Sequence, residues 1–407
     1  MNRVVVTGMG VVSPLGNDIA ATFDALVAMR SAIRRLEGPG TERLVNRLGA
    51  PVMFDPQPHF DAAKLRMLDR VSQLALFTAA QAVRAAGDPF ADPARAGVSI
   101  GTGMAGAQSA DDAYRTLYAD RSDRLKPFTV LLAMNNAPAS WIGLEYGLTG
   151  PNLTYSTACS SSAVAIGEAA RRIERGEADV MIAGGAEACL NFGTLKAWEA
   201  LRTLAVEDAS DASASCKPFA KDRSGLVLGE GAAMLVLESR ERALARGATI
   251  LAEIAGYGLV TDATHITRPS VEGQAAAIRA ALADARMDAQ DIRYINAHGT
   301  GTQANDGVET AAIKQVFGAQ AYKVPVSSTK SMHGHLLGAA GALEMAISIE
   351  AIARGVAPPT RNLRVADPEC DLDYVSDGAR EVKGLDAVMS SSFAFGGTNA
   401  VLIVKNS

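Results

Sequence analysis

Residues 152–176, NLTYSTACSSSAVAIGEAARRIERG, decide how this chain folds. An apolar strand runs into Cys159, and a helical segment follows at once and reaches Gly176, a residue that suits a helix end. A thiol at such a turn meets backbone N–H groups and the positive end of a helix dipole, so we expect Cys159 to have a depressed pKa and thiolate character. The hydroxyls of residues 160–162 are candidates to cap the helix. From this segment alone, a buried structural cysteine is the competing interpretation.

The same alternation of short apolar strands and Ala-rich helical stretches continues along the chain, which is an α/β pattern with buried strands. The predicted strands cover residues 4–6, 97–100, 179–183, 232–237, 294–296, 324–327 and 400–404. The predicted helices cover residues 69–86, 161–175, 274–285, 307–317 and 340–353.

An internal repeat indicates a duplicated unit. RVVVTGMGVVS at residues 3–13 and ILAEIAGYGLVTDA at residues 250–263 each read as a strand followed by Gly-x-Gly, and each half closes on an apolar strand. A chain of 407 residues is also too long for one ordinary core. We predict two similar halves, residues 1–249 and 250–407, with Gly247 ending a charged helix at the seam.

Composition narrows the class of protein. Hydrophobic residues make up 48% and charged residues 20%, which favours a packed globular chain over disorder. The net charge of −5 argues against general nucleic-acid binding. Neither a signal peptide nor an apolar run of the ~18 residues that span a membrane is seen, so we expect a cytoplasmic protein.

The four cysteines lack CxxC spacing, which argues against a disulfide framework or a zinc site. We expect Cys189, Cys216 and Cys370 to be small buried hydrophobic residues.

Two further segments concentrate three of the five histidines of the chain. In YINAHGTGTQANDGVE, a strand ends and His298 follows within a loop rich in glycine and threonine. In VPVSSTKSMHGHLLGAAGALEMAIS, a strand ends, Lys330 follows, and His335 comes five residues later. A metal site at His333 and His335 is an alternative, but a third ligand is not found nearby.

A fourth segment, SSFAFGGTNAVLIV at residues 391–404, precedes the last strand. Phe393 and Phe395 flank one alanine, and Gly396 and Gly397 follow. The glycines allow backbone N–H groups to approach a ligand, and a simple tight turn is the alternative.

TACSSS, NAHGTGT, STKSMHGHLLGAAGALE and SFAFGGTN occur in this order and at this spacing, and the likeness runs from Val4 to the last strand. Together they resemble β-ketoacyl-(acyl carrier protein) synthases of the type II, elongating kind. The resemblance implies a thiolase-like α/β fold, with two similar halves stacked as α-β-α-β-α layers. It also implies a homodimer, or a heterodimer with a related subunit.

The resemblance implies that Cys159 takes the acyl chain as a thioester, while His298 and His335 face a malonyl thioester. Loss of CO₂ creates an enolate, whose oxygen two neutral imidazole N–H groups can stabilise. Lys330 would disfavour histidine protonation and, with Glu344, hold this group in place. The resemblance also implies that Asp306 is a supporting residue and that the backbone N–H groups of Cys159 and Phe395 form an oxyanion hole. Phe393 would act as a gate, and Thr300 and Thr302 would contact the pantetheine arm. Met104 and Trp198 would line the acyl pocket.

The implied partner is an acyl carrier protein, which supplies the phosphopantetheine arm, so the enzyme needs no bound cofactor and no metal. Carrier proteins of this kind are acidic, and a basic patch should surround the tunnel mouth. The candidate cations are Lys64, Arg66, Arg70, Arg124 and Lys126.

Some residues depart from the family pattern. Ala394 stands where glycine is usual, Gln303 and Asn305 replace the common proline and glycine, and His333 replaces a small or hydroxyl residue. These changes leave the substrate open between housekeeping fatty-acid elongation and a specialised product such as a polyene.

Two other classes compete. GTGMAG at residues 101–106 follows a strand and matches a dinucleotide-binding fingerprint, but a second strand ending in an acidic residue is lacking. Related chain-length subunits keep the fold, lose the nucleophile and act only as partners. The presence of Cys159, His298, Lys330 and His335 favours an active enzyme over such a subunit.

Overall fold

A computed structural model describes residues 2–38 and 40–407. The strands are β1 (Val4–Val12), β2 (Arg34–Arg35), β3 (Leu48–Gly49), β4 (Ala96–Gly101), β5 (Asn152–Tyr155), β6 (Val180–Glu187), β7 (Gly231–Ser239), β8 (Ala252–Thr261), β9 (Tyr294–Asn296), β10 (Val326–Ser327), β11 (Val356–Ala357), β12 (Arg380–Glu381), β13 (Ala387–Phe393) and β14 (Thr398–Lys405). The helices are α1 (Ile19–Val27), α2 (Ala62–Leu65), α3 (Arg70–Ala86), α4 (Ala107–Tyr118), α5 (Thr129–Ala133), α6 (Ala137–Tyr146), α7 (Ser161–Glu174), α8 (Phe192–Ala200), α9 (Arg240–Ala245), α10 (Val271–Ala285), α11 (Asp306–Phe317), α12 (Lys330–His333) and α13 (Ala340–Arg354).

Ten strands form one mixed sheet in the order β10-β9-β13-β14-β8-β1-β7-β6-β4-β5. The sheet consists of two series of five strands that start at its centre, β1-β7-β6-β4-β5 and β8-β14-β13-β9-β10. In each series the first two pairings are antiparallel and the last two are parallel. The series meet where β1 pairs antiparallel with β8. The repeated topology is that of a duplicated unit.

Helices cover both faces of each strand series. α3 and α6 pack on the β1–β7 side, and α10 and α11 pack on the β8–β14 side. α7 and α13 contact each other and strands of both series, so they form a layer between them. Gly341 allows this central contact, because a Cβ there would lie 2.9 Å from the Cβ of Ala163. The result is the predicted α-β-α-β-α arrangement of a thiolase-like fold.

The repeated Gly-x-Gly pairs lie inside their strands, which corrects the prediction that the strands end before them. A Cβ on Gly10 would lie 2.0 Å from the carbonyl oxygen of Thr78 in α3, and one on Gly258 would lie 2.2 Å from that of Ala277 in α10. The glycines therefore allow the outer helices to rest directly on the strand backbone. Each half uses the same device at the same position.

The predicted strands and helices all occur, although most strands extend further than their apolar runs. β1, for example, continues to Val12 because the pattern does not break at the glycines. All four cysteines are free and buried, and the three outside the turn at Cys159 match the expectation of small apolar residues. Within the residues described, no helix is long and apolar enough to cross a membrane.

Candidate active site

Cys159 lies in a 3₁₀ turn, Ala158–Ser160, between β5 and α7. Ala158 adopts a φ of 51°, a left-handed conformation that non-glycine residues rarely take, so the turn is sharp and strained. Ser161 braces it: its hydroxyl donates to the carbonyl of Ala158 at 2.6 Å and accepts the N–H of Thr157 at 2.9 Å. The N-cap residue Ser160 makes no side-chain capping bond, so the predicted cap is replaced by this brace.

The predicted low pKa of Cys159 is wrong for the unliganded site. Burial raises the pKa of its thiol to about 12, and the nearby carboxylate of Glu187 raises it further. The ammonium of Lys330 and the backbone N–H of Phe395 oppose this rise. Desolvation outweighs these donors because the thiol is enclosed by apolar neighbours. Cys159 therefore rests as a thiol.

His298 begins the loop between β9 and α11, and Glu309 on α11 holds that loop. The two oxygens of its carboxylate accept the backbone N–H groups of His298 and Gly299, each at 2.7 Å. The amide of Asn305 donates to the same carboxylate at 3.1 Å. Burial raises the pKa of Glu309 to about 7. Sequence reasoning missed Glu309, although its position one helical turn after Asp306 could have indicated it.

Asp306 fixes the remainder of this loop. Its carboxylate accepts the backbone N–H of Phe219 at 2.8 Å and that of Gly301 at 3.1 Å. The hydroxyls of Thr300 and Thr302 lie 2.9 Å apart, and both residues line the pocket above Cys159. Asp306 therefore holds this loop, and the contact of the two threonines with a pantetheine arm stays a prediction.

Lys330 and Glu344 form a fully buried ion pair that links α12 to α13. Burial raises the pKa of Glu344 to about 7, and Lys330 opposes the rise. His335 follows α12, and its Nδ1 accepts the backbone N–H of Leu337 at 3.2 Å. This bond puts the ring proton on Nε2, which makes Nε2 a donor. Its Nε2 is buried and has no hydrogen-bond partner within the part of the chain that is described.

Both active-site histidines are neutral. Burial, followed by the positive charge of Lys330, lowers the pKa of His298 and of His335 well below the usual 6.5. This confirms the expectation that Lys330 disfavours protonation. Neutral imidazoles can donate an N–H to a developing oxyanion without the cost of burying a charge.

The turn, the loop and α12 bring three reactive side chains together. The thiol sulfur of Cys159 and ring nitrogens of His298 and His335 lie within 4.8 Å of one another. The two imidazole rings meet edge to face, with centroids 5.3 Å apart. These atoms are also the set that could hold a metal ion, since thiolate and imidazole are zinc ligands.

His333 does not join this group. Its Nδ1 lies 2.7 Å from the carbonyl oxygen of Gly334, and its Nε2 lies 2.9 Å from the hydroxyl of Thr329. Both ring nitrogens are therefore occupied, which rules against the alternative of a metal site shared by His333 and His335. Burial lowers the pKa of His333 to about 3.

A pocket of about 530 Å³, including its open mouth, leads to Cys159. Phe393 meets the ring of His298 edge to face, with centroids 6.0 Å apart. Phe395 stacks on Trp198 at 5.9 Å between centroids, and both line the pocket. Met104 does not line it; its side chain is 39% exposed at the surface.

The loop GTGMAG contradicts the dinucleotide-binding alternative. It does join β4 to α4, as that fingerprint requires. Its N–H groups, however, are taken by a protein carboxylate: Gly103 and Met104 donate to Glu187 at 2.7 and 3.0 Å. A loop that already binds an internal anion has no free cradle for a pyrophosphate.

None of the five cations predicted to form a basic patch lines the pocket that leads to Cys159. Arg70 makes a two-pronged ion pair with Glu230, and Lys64 pairs with Glu145, because their helices bring these acids close. The other three of the five predicted cations are exposed, namely Arg66, Arg124 and Lys126. Arg268, which sequence reasoning missed, is exposed and lines the pocket mouth.

Comparison with known proteins agrees with this geometry. Residues 1–243 match the family described as "Beta-ketoacyl synthase, N-terminal domain", and residues 251–364 match "Beta-ketoacyl synthase, C-terminal domain". The chain belongs to the β-ketoacyl synthase family. It is a condensing acyltransferase, and its family uses a phosphopantetheine arm carried by an acyl carrier protein rather than a cofactor of its own.

Individual relatives cover nearly the whole chain. Nodulation protein E of Rhizobium meliloti (strain 1021) is 48% identical over 99% of both chains. 3-oxoacyl-[acyl-carrier-protein] synthase 2 of Coxiella burnetii is 43% identical over 99% of this chain and 98% of its own. A solved type II polyketide ketosynthase in complex with its acyl-carrier protein superposes with a TM-score of 0.92 at 32% identity, covering 100% of both chains.

Proposed function

We propose that this enzyme extends an acyl chain held on Cys159 by two carbons taken from a malonyl unit on an acyl carrier protein. The roles we assign are nucleophile for Cys159, oxyanion donors for His298 and His335, and charge support for Lys330 and Glu344. The observation that carries the proposal is the meeting of one thiol and two neutral imidazoles within 4.8 Å at the end of a pocket.

In the first step the sulfur of Cys159 attacks the thioester carbon of the acyl carrier. The thiol proton leaves with the departing pantetheine sulfur, so a thioester is exchanged for a thioester. Because the resting group is a thiol, the proton must move as attack occurs. The backbone N–H of Phe395, which faces the sulfur, and that of Cys159 would bind the developing acyl oxyanion.

In the second step the carbon–carboxylate bond of the malonyl thioester breaks, CO₂ leaves, and the electron pair forms an enolate. The Nε2–H of His335 and an N–H of His298 would bind the enolate oxygen. The enolate carbon attacks the acyl carbon on Cys159, and the carbon–sulfur bond breaks. The released thiolate takes up one proton, which returns the resting thiol.

A condensation assay tests this proposal. Purified protein is mixed with a C6–C16 acyl carrier and malonyl carrier, and the 3-ketoacyl carrier is measured by mass spectrometry. His298→Ala and His335→Ala each remove one donor, and we expect condensation to fall while acyl loading of Cys159 persists. Condensation at the wild-type rate in both variants would contradict the assigned roles.

Carrier docking belongs to the same proposal. We assign Arg66, Arg124, Lys126 and Arg268 as the cations that meet an acidic carrier, because they remain exposed and Arg268 lines the mouth. Charge reversal at Arg268 should raise KM for acyl carrier and leave the reaction with a soluble acyl-pantetheine thioester unchanged.

A cytoplasmic location, expected from the sequence, stays a prediction.

Assembly with a second subunit is the finer part of the proposal. β5, which leads to Cys159, is the outer strand of the sheet, and Tyr114 and Tyr118 on α4 are 60% and 77% exposed. An open strand edge and exposed aromatic side chains each favour a dimer, either with a second copy or with a related subunit.

A partner-dependent subunit is the second candidate function. The exposed β5 edge favours it, whereas the complete set of Cys159, His298, Lys330 and His335 favours a chain that is active itself. Size-exclusion chromatography with light scattering separates the two, because a catalytic homodimer would have twice the chain mass and full activity alone.

A further inference from the structure

Glu187, the last residue of β6, is a fully buried carboxylate. Burial raises its pKa, and backbone N–H groups and one hydroxyl oppose the rise; within residues 2–38 and 40–407 it forms no ion pair. Burying an ionised carboxylate costs free energy unless its oxygens are well hydrogen-bonded. An unpaired buried charge close to a reactive thiol therefore calls for an explanation beyond packing.

The donors to Glu187 come from two loops that flank the catalytic group. Gly103 and Met104, after β4, donate at 2.7 and 3.0 Å, and the hydroxyl of Thr102 lies at 3.3 Å. Gly338, just after His335, donates at 2.9 Å. The loops touch, because a Cβ on Gly338 would lie 2.2 Å from the backbone nitrogen of Gly103. Glu187 thus joins them through one side chain.

The loop after His335 connects Glu187 to the imidazole. Leu337 adopts a φ of 45°, and its N–H donates to Nδ1 of His335. The next N–H, that of Gly338, donates to Glu187. By accepting the N–H of Gly338, the carboxylate holds the strained turn at Leu337. The N–H of Leu337 in turn keeps the ring proton of His335 on Nε2. Without that anchor the turn could relax and free Nδ1 to take the proton.

We propose that Glu187 is a positioning residue that holds His335 as an Nε2–H donor through the turn at Leu337 and Gly338. The inference rests on the proposed function and adds a residue to it. Glu187 acts through other groups and does not touch the substrate.

The first test follows the imidazole of His335 by ¹⁵N NMR of histidine-labelled protein. Glu187→Gln keeps the size and replaces one carboxylate oxygen with an amide NH₂, which cannot accept an N–H. We expect wild-type His335 to carry its proton on Nε2 only, and Glu187→Gln to show a second population with the proton on Nδ1. A single Nε2–H form in both Glu187→Gln and Glu187→Asp would overturn the proposal.

The second test measures CO₂ release from malonyl carrier, which depends on the histidines. Glu187→Gln should slow it by roughly 100-fold, the scale of a small misplacement in an active site. Glu187→Asp keeps the charge and withdraws the oxygens, so CO₂ release should fall in this variant as well, while acyl loading of Cys159 persists. CO₂ release at the wild-type rate in Glu187→Asp would overturn the proposal, and this variant carries the test if Glu187→Gln does not fold.

Glu238→Gln is the matched control. Glu238 is also fully buried, but it lies at the opposite end of the same pair of strands, where it meets Arg242 and Arg246. It should lose stability and keep the wild-type tautomer of His335; a second population equal to that in Glu187→Gln would overturn a local effect. If wild-type protein neither loads acyl groups nor releases CO₂, the proposed function fails, yet the tautomer of His335 still tests Glu187.

Discussion

Replacing Lys330 with methionine removes one partner of an ion pair in which both side chains are fully buried. The Glu344 carboxylate then has no cation, while methionine fills a similar volume. We expect the free energy of unfolding to fall by about 3–5 kcal/mol, the range for breaking a buried pair from one side. Urea denaturation followed by tryptophan fluorescence measures this loss.

The loss should depend on pH in a defined direction. Burial raises the pKa of Glu344 to about 7 even with Lys330 present, and removal of the ammonium raises it further. A carboxyl whose folded pKa lies above its unfolded value stabilises at low pH, and this stability is lost as pH rises through the folded pKa. Lys330→Met should therefore be closer to wild type at pH 5 than at pH 8.

Two variants control for this interpretation. Lys330→Met/Glu344→Gln removes the unpaired charge as well, and it should recover part of the lost stability. Lys196→Met breaks a pair in which the lysine is 46% exposed, and it should cost about 1 kcal/mol or less. A Lys330→Met protein within 1 kcal/mol of wild type at pH 8 would refute the reasoning about the buried pair.

Three other results are expected. His335→Ala should lower condensation by about 100- to 1000-fold, as for loss of one oxyanion donor; a loss below tenfold would contradict that role. The imidazole rings of His298 and His335 should stay neutral from pH 7.5 to 6.0 in histidine NMR, because their pKa values lie well below 6.5; a ring that is half protonated at pH 6.5 would contradict neutral donors. Gly10→Ala would place a Cβ 2.0 Å from the carbonyl oxygen of Thr78 and should lower the free energy of unfolding, measured by calorimetry, by about 1–3 kcal/mol. An unchanged melting temperature would contradict this, because α3 would then have moved away from the strand without cost.

The elements with strong local signals could be predicted from the sequence. The helix after Cys159 and the helix beginning at Ala340 were predicted to within two residues, because both are long apolar runs with glycine at their ends. β1 was predicted too short, since glycine weakens a strand by propensity although packing against α3 requires it there. Partially exposed helices such as α4 were missed because their apolar face is narrow.

The site was predictable by residue type and less so by environment. Cys159, His298 and His335 were found from their motifs, and the structure brings them together. The pKa of Cys159 was wrong in direction, because enclosure by residues distant in sequence outweighs the helix dipole. Glu187 acts through backbone N–H groups of loops far from it in sequence, and such contacts leave no local pattern. Glu309 acts on a loop about ten residues before it, and its position one turn after Asp306 could have indicated it.

Intact-mass spectrometry shows whether Cys159 carries the acyl chain. Wild-type protein and Cys159→Ala are mixed with acyl carriers of graded chain length, and the mass of each product is measured. We expect one acyl adduct on wild type, none on Cys159→Ala, and a set of loaded chain lengths that reports the length of the pocket. An equal adduct on both proteins, or no adduct on wild type with any chain, would contradict it.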